Sequence, residues 1–434
     1  MRTIGLDIHK HFAEAAILEP GRPLRRRRVA TTAAELREFA ESLGPDDQVA
    51  LESTFNTWAL VDLLRARAGR VVVSNPMKTK AIASAKVKTD KVDAEVLARL
   101  LASDFLAEVW VPDQQLRALR RQVAQRASLV QQQTRHRNRI HAILNRNLLD
   151  CPYTDLFGKA GQRWLSEQAL PPEERSQLES ALRLLAAVRS EIEALERPLA
   201  SVAFDDAGAR HLLTIPGVGL VTALAMVAVI GDVRRFARPN QLVGYLGLDP
   251  KVRQSGDKPA RTGHISRQGQ THARAMLIEA ANSAVRAHGP LRAFNERIKS
   301  RRGSRIALVA VARKLAVLAW HLLTHDSDYR WSPTGLTAKK YRDIAFQAGR
   351  TDLQPLPPHH REQEQRVLVQ AEDAYRTMVL ARHRQQLDAA ASNGERPMGS
   401  RPDARRSSHP QAPIFSTRVD RAHLKPTPAV RRRA

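Results

Sequence analysis

The stretch Val87-Lys88-Thr89-Asp90-Lys91-Val92-Asp93-Ala94 sets two carboxylates three residues apart, where a polar segment turns into a helix. Val92, Leu97, Leu100 and Leu101 give that helix its buried side. Positions i and i+3 share a helix face, so Asp90 and Asp93 point at one object. Acids held that close repel unless a proton or a cation lies between them, and hard oxygen ligands suit Mg²⁺. The competing reading is a plain helix start, with Thr89 as N-cap and acids favoured in the first turn by the macrodipole. On the octapeptide alone the helix start is favoured; the rest of the chain changes the balance.

Upstream, residues 3–8 and 12–18 read as strands, and 25–30 as an edge strand carrying four arginines. Residues 33–43 read as a helix, 48–51 as a strand ending at Glu52, 57–68 as a helix and 71–73 as a further strand. This order predicts an α/β layered domain. Asp7, Glu52, Asp90 and Asp93 then fall at strand ends or on the packing helix, where such sheets place their chemistry. Taken singly, Asp7 is a turn acid and Glu52 a solvated strand end. Taken together, the four acids resemble the layout of ribonuclease-H-like nucleases, in which acids bind two Mg²⁺ ions that stabilise the attacking and leaving oxygens of phosphoryl transfer.

Composition bounds the partner. The chain has 434 residues and a net charge of +26, which points to a polyanion, most simply nucleic acid. Its single cysteine, Cys151, excludes a disulfide framework and a cysteine-based zinc site, and fits a reducing cytosol. The N-terminus has no long apolar stretch of the signal-peptide kind. No run approaches the ~18 apolar residues that span a bilayer. The stretches near 220–230 and 306–320 read as core helices, the second interrupted by Arg313 and Lys314.

Residues 114–148 form a long helix with no acid between Gln114 and Leu149. Arg117, Arg120, Arg121, Arg126, Arg135, Arg137, Arg139 and Arg146 cannot make salt bridges along such a helix, so a nucleic-acid backbone contact is the better reading. A second helix, 173–202, keeps a 3–4 spacing through Leu178, Leu182, Leu185, Val188, Ile192, Leu195 and Leu199, which suggests an antiparallel coiled-coil arm or a dimerisation element. Pro152 to Pro172 is the polar connection. Leu213-Thr214-Ile215-Pro216-Gly217-Val218-Gly219 reads as a helix end and a tight glycine turn before an apolar helix. Such a turn either offers backbone N–H groups to a phosphate or is a plain connection. A helix is expected at 240–246. Arg253-Gln254-Ser255-Gly256 follows in a basic loop, where Ser255 is a turn serine unless context makes its hydroxyl a nucleophile. Ser266 reads as an N-cap or turn serine before a helix at 271–286, and a helix at 304–323 closes the region. Beyond 331 periodicity fades except at Val367–Leu380, and the composition predicts a mostly disordered basic tail with at most one helix.

With these residues assembled, the chain resembles the insertion-sequence 110 family, the DEDD transposases related to Piv-type DNA invertases. The resemblance rests on Gly5-Leu6-Asp7-Ile8-His9-Lys10, the strand ending at Glu52, Lys88 to Ala94, Ile215 to Gly219, Gly247-Leu248-Asp249-Pro250 with Arg253 to Gly256, and Ile265 to Gly269, in family order over about residues 1–325. It implies a RuvC-like, RNase H-like α/β domain at 1–112 whose Asp7, Glu52, Asp90 and Asp93 hold Mg²⁺, two ions by expectation. It implies a helical arm at 113–205, a mainly α transposase domain at 206–326 with a helix-hairpin-helix-like motif, and a tail at 327–434. It further implies that Ser255 attacks a DNA phosphodiester and becomes covalently linked, in a composite site shared by protomers of a dimer or tetramer. A bridge RNA would pair with donor and target DNA, so that base pairing reads sequence while the protein reads backbone and shape. Arg117, Arg120, Arg121, Arg126, Arg135, Arg137, Arg139 and Arg253 are the expected nucleic-acid contacts. The expected location is the prokaryotic cytoplasm, at the nucleoid, with no membrane partner. At the second acid the family's Glu-Ala-Thr-Gly-like run is Glu52-Ser53-Thr54-Phe55 here, so the turn beyond the carboxylate differs. The alternatives are a junction-resolving nuclease using the acids alone, and an inactive nucleic-acid-binding protein.

Overall fold

The computed structural model describes residues 1–82, 89–257, 259–350 and 361–392. Val87 and Lys88 of the opening octapeptide lie outside the described residues, as do 351–360 and 393–434 of the expected tail.

The first element is a sheet. β1 (Thr3–Ile8), β2 (Phe12–Leu18) and β3 (Arg25–Ala30) are antiparallel neighbours. After α1 (Ala33–Glu41), β4 (Gln48–Glu52) returns parallel to β1. After α2 (Thr57–Arg65), β5 (Arg70–Ser74) lies parallel to β4. α3 (Pro76–Ile82) and α4 (Asp90–Ala102) follow, and the two-residue β6 (Glu108–Val109) pairs antiparallel with β5. The order β3-β2-β1-β4-β5-β6 is a mixed α/β sheet, consistent with the RNase H-like expectation. The strands predicted from the sequence are all present, and β3 is an edge as expected. Three of its four arginines are tied down: Arg26 to Glu95, Arg27 to Glu38 and Arg28 to the buried Glu14.

Helix α4 is seated on β1, β2 and β4 by a close approach at Gly5. A Cβ there would stand 2.0 Å from the Ala94 carbonyl oxygen and 2.6 Å from the Ala98 nitrogen. Only glycine on the strand and alanines on the helix allow this contact. The contact brings the first turn of α4 over the end of β1.

Next come α5 (Gln114–Arg146), α6 (Lys159–Glu167) and α7 (Pro172–Asp205). Ion pairs Arg126–Glu196 and Arg146–Glu174 fix α5 and α7 as an antiparallel hairpin. The acid-free helix therefore does make salt bridges, to acids on its partner helix rather than its own. Burial along α7 follows the predicted spacing, with Ala181 buried in place of Leu182. The connection Pro152–Pro172 is not merely polar: α6 inserts Leu165 among Ile140, Ile143 and Leu178 to close the far end of the hairpin.

The rest is mainly helical. α8 (Ala207–Leu213) and α9 (Leu220–Ile230) flank the glycine turn, and α10 (Pro239–Tyr245) precedes a hairpin of β7 (Pro250–Arg253) and β8 (Arg261–Ile265). The stretch read as a basic loop is thus an antiparallel ribbon. α11 (Thr271–Ala284), α12 (Pro290–Arg302) and α13 (Ser304–His325) complete a core through Leu224, Leu277, Val311 and Leu315. α13 is long and apolar enough by length and composition to cross a bilayer, contrary to the sequence reading. Here it packs against α8, α10, α11 and α12.

The tail also departs from expectation. α14 (Thr334–Gln347) and α15 (Arg361–Ser392) are helices. Ile344 joins the core, and Glu372 of α15 is buried where it accepts the Gly289 N–H at 3.1 Å. Their apolar contacts are few and widely spaced, so the polar majority masked the periodicity.

A seam joins the sheet, the arm and the helical core. Trp110 follows β6. The Arg235 guanidinium lies 4.3 Å from its ring centre, 4.1 Å from Phe236 and 4.4 Å from Tyr245. Arg120 stands over the same indole and donates to the Ala228 carbonyl at 2.6 Å, while Arg235 donates to that of Ile230 at 2.9 Å. These bonds satisfy carbonyls that the end of α9 leaves unpaired. A Cβ on Gly231 would meet the Trp110 ring at 2.3 Å.

Candidate active site

Asp7 points from the end of β1 and is 8% exposed. His9, two residues on in the β1–β2 turn, sets Nε2 3.1 Å from Asp7 Oδ2 and 3.3 Å from Asp90 Oδ2. Asp90 opens α4, whose N-cap is Thr89, its hydroxyl accepting the Val92 N–H at 3.4 Å. The two readings of the octapeptide are therefore not exclusive: a regular cap orients the turn that carries the acids.

Burial raises the Asp7 carboxyl above its ordinary pKa; His9 pulls it back down, and Asp93 and Asp90 push it further up. The field of Asp93 thus reaches Asp7 from the same helix turn. Glu52 ends β4, one register step beyond the Leu6–Leu51 pair, so it lies on the strand beside Asp7 and at its level. Among the described residues, one donor atom each from Asp7, His9 and Asp90 lies within 4.8 Å of the others. Two carboxylates and an imidazole at that spacing fit a divalent cation, which would offset the burial that raises Asp7 and the charge of the nearby acids. Asp93 and Glu52 stand outside that three-residue group. His9 is the member that sequence reasoning missed. It stood in the quoted Gly5–Lys10 motif, and the signal was a ligand-type residue two places past a strand-end acid.

Ser255 lies just past β7, and every residue from Lys251 to Asp257 is exposed. Gly256, at φ +56°, has open space where a Cβ would sit. Arg253 is exposed on the same ribbon. Among the described residues no hydrogen bond or ion pair joins Ser255 to the acids. Ser266 is different: its hydroxyl donates to Asp249 Oδ1 at 2.5 Å and ties the base of the ribbon.

The arginines of α5 divide. Arg117 is buried, donates to the Trp58 carbonyl and pairs with Asp62 at 2.7 Å. Arg120 belongs to the seam and Arg126 to the hairpin. These three are structural ties, because a guanidinium already satisfied by acids and carbonyls has few donors left for phosphate. Arg137 is half-buried over Phe157, at 5.1 Å. Arg121, Arg135 and Arg139 are exposed, and their spacing puts them on one side of α5.

The chain is similar in sequence to known transposases. The family of DEDD transposases of the IS110 type matches residues 4–147, and the Transposase IS116/IS110/IS902 family matches residues 209–296. Together they span just over half of the chain. A transposase for insertion sequence element IS1328 of Yersinia enterocolitica is 25% identical over 75% of this chain and 97% of its own length. One for element IS1111A of Coxiella burnetii is 36% identical over 31% of this chain and 38% of its own. A pilin gene-inverting protein of Moraxella lacunata is 29% identical over 27% of this chain and 37% of its own. The first family match holds Asp7, Glu52, Asp90 and Asp93, and the second holds the glycine turn and Ser255. The chain belongs to the IS110/IS116 family and is a DEDD transposase, an enzyme of DNA strand cleavage and transfer.

Proposed function

We propose that Asp7, Glu52, Asp90 and Asp93 hold divalent cations, with Mg²⁺ in two sites, and that His9 shares the first of them. The observation that carries this reading is the close grouping of Asp7, His9 and Asp90 at the sheet end. When bound, such ions polarise a phosphodiester and neutralise charge on its oxygens. Asp7 and Asp90 position that charge, and the cap at Thr89 keeps Asp90 turned toward it.

In this reading Ser255 is the nucleophile. Its Oγ bonds to phosphorus, the bond from phosphorus to the deoxyribose oxygen breaks, and the departing oxygen takes a proton to become a hydroxyl. The serine proton passes to a base within the assembled complex. There the ribbon works against a surface brought by another protomer of a dimer or tetramer. A guide RNA transcribed from the element would choose donor and target by pairing, with Arg121, Arg135, Arg139 and Arg253 on nucleic-acid backbones. The turn Ile215–Gly219 adds a backbone contact: Gly219 is exposed at the start of α9 with nothing near its Cβ direction. The pilin-inverting relative fits a recombinase of the same chemistry.

Junction sequencing tests this. The gene is expressed with its native flanking DNA, and excision circles and new insertion junctions are read for the wild type, Asp7→Ala and Ser255→Ala. Junctions in the wild type alone support acids and serine together. Junctions that survive Ser255→Ala replace the serine step with water-mediated cleavage by the acids, which is the nuclease reading.

A further inference from the structure

The part of the tail next to the helical core makes a set of directed contacts with one place. That place is the end of α8, just ahead of the glycine turn. His211 of α8 lies between Asp326 and Asp328, at 2.9 and 2.7 Å. The Tyr329 N–H donates to the Thr214 hydroxyl at 2.9 Å, and both residues are buried. The Tyr341 hydroxyl donates to the Arg210 carbonyl at 2.7 Å. Lys340 makes two contacts: Nζ donates to the Leu213 carbonyl at 2.7 Å and the Ile215 carbonyl at 2.9 Å.

The Lys340 contact is unusual chemically. Among the described residues no carboxylate pairs with this ammonium; its partners are two backbone oxygens. Burial pushes its pKa down to about 8. A helix end presents unpaired carbonyls and a partial negative charge, which a cation satisfies. The turn beyond it is confined on its other side. Gly217 has φ +82°, and a Cβ there would stand 2.2 Å from the Ala280 carbonyl oxygen of α11. The turn is thus held between α11 and α14. The matched family segment ends at residue 296, so this fastening comes from residues beyond it.

We propose that Lys340 is a positioning residue for DNA binding: a tethered cation that fixes the carbonyls of Leu213 and Ile215, and so holds the Ile215–Gly219 turn in the shape that meets a DNA backbone. The segment 326–348 is the strap that delivers it. This rests on the reading of that turn as a DNA contact, and the test separates the two.

The measurements are amide hydrogen exchange over residues 212–219 in the free protein, and affinity for a labelled duplex from the element's end. Lys340→Met keeps the stem's packing and removes the donors. It should speed exchange over the turn and weaken duplex binding about tenfold, the scale of a lost charge-assisted contact. Lys340→Ala leaves room for a free cation. Replacing choline chloride by ammonium chloride at equal ionic strength should restore slow exchange and binding to it. Unchanged exchange in Lys340→Met, or no difference between ammonium and choline in Lys340→Ala, overturns the tethered cation. Faster exchange with unchanged duplex affinity overturns the DNA role of the turn, and the proposal with it.

Discussion

Asp7 is 8% exposed at the end of a central strand, whereas Ser255 sits on a two-stranded ribbon exposed from Lys251 to Asp257. Around Asp7, a glycine–alanine contact, a capped helix start and a histidine bridge fix the positions of charge before any ligand arrives. Around Ser255 no such fixing exists among the described residues. Preorganised charge is expensive in the free protein, which is why burial and neighbouring acids raise the Asp7 pKa. An open serine costs nothing to fold but cannot tune itself. In the function proposed above, the sheet brings a fixed electrostatic site, and the ribbon brings a serine whose surroundings are completed in the complex.

The sharpest way to break this contrast is to remove charge on one side and the hydroxyl on the other. Asp7→Asn should lower strand cleavage by about a thousandfold or more, as loss of a metal ligand does. It should also leave thermal stability unchanged or raised without metal, because burial, and to a lesser degree the nearby acids, already disfavour a charged Asp7. Ser255→Ala should abolish strand exchange with no change in melting temperature; a clear drop in melting would mean the ribbon is not free. Next in size is a pair of glycines. Gly5→Ala drives a Cβ into the Ala94 carbonyl, so it should cost ~1–3 kcal/mol in denaturant unfolding and weaken divalent binding by calorimetry as α4 shifts. Gly256→Ala meets open space at positive φ, so it should cost only ~1 kcal/mol of local strain and leave divalent binding alone.

A smaller effect tests the arm. Arg121→Gln, Arg135→Gln and Arg139→Gln should each reduce the slope of log affinity against log salt by about one. Arg117→Gln should instead lower the melting temperature with the slope unchanged, because it leaves Asp62 and the Trp58 carbonyl without their partner. A further effect is in pH. The unfolded Lys340 titrates near 10.5 and the folded one at about 8, so the unfolded chain binds more protons in that window. Stability should therefore rise with pH from about 8 to 10.5. Lys340→Met should flatten that rise in thermal melts.

The sheet was legible because alternation and short apolar runs state strand positions directly: all five predicted strands are there, and Asp7 and Glu52 fall at adjacent strand ends. The long helices α5, α7 and α13 were legible from their apolar spacing or apolar run. What the sequence hid was pairing across distance. The arginines of α5 have no acid on their own helix, yet Glu174, Glu196 and Asp62 reach Arg146, Arg126 and Arg117 from elsewhere. His9 was hidden because a turn histidine looks alike whether or not an acid returns from residue 90. The tail was hidden because α14 and α15 bury only scattered residues, and composition cannot see a single lysine reaching two carbonyls.

The seam at Trp110 bears on how such proteins can be recombined by design. Trp110 and Arg120 lie in one matched family segment, and Gly231, Arg235 and Tyr245 in the other. Swapping either segment alone between relatives would set a foreign side chain against the indole or strand a guanidinium on carbonyls it no longer reaches. These five residues are one packed unit, so a chimera of sheet and helical core should carry them across together.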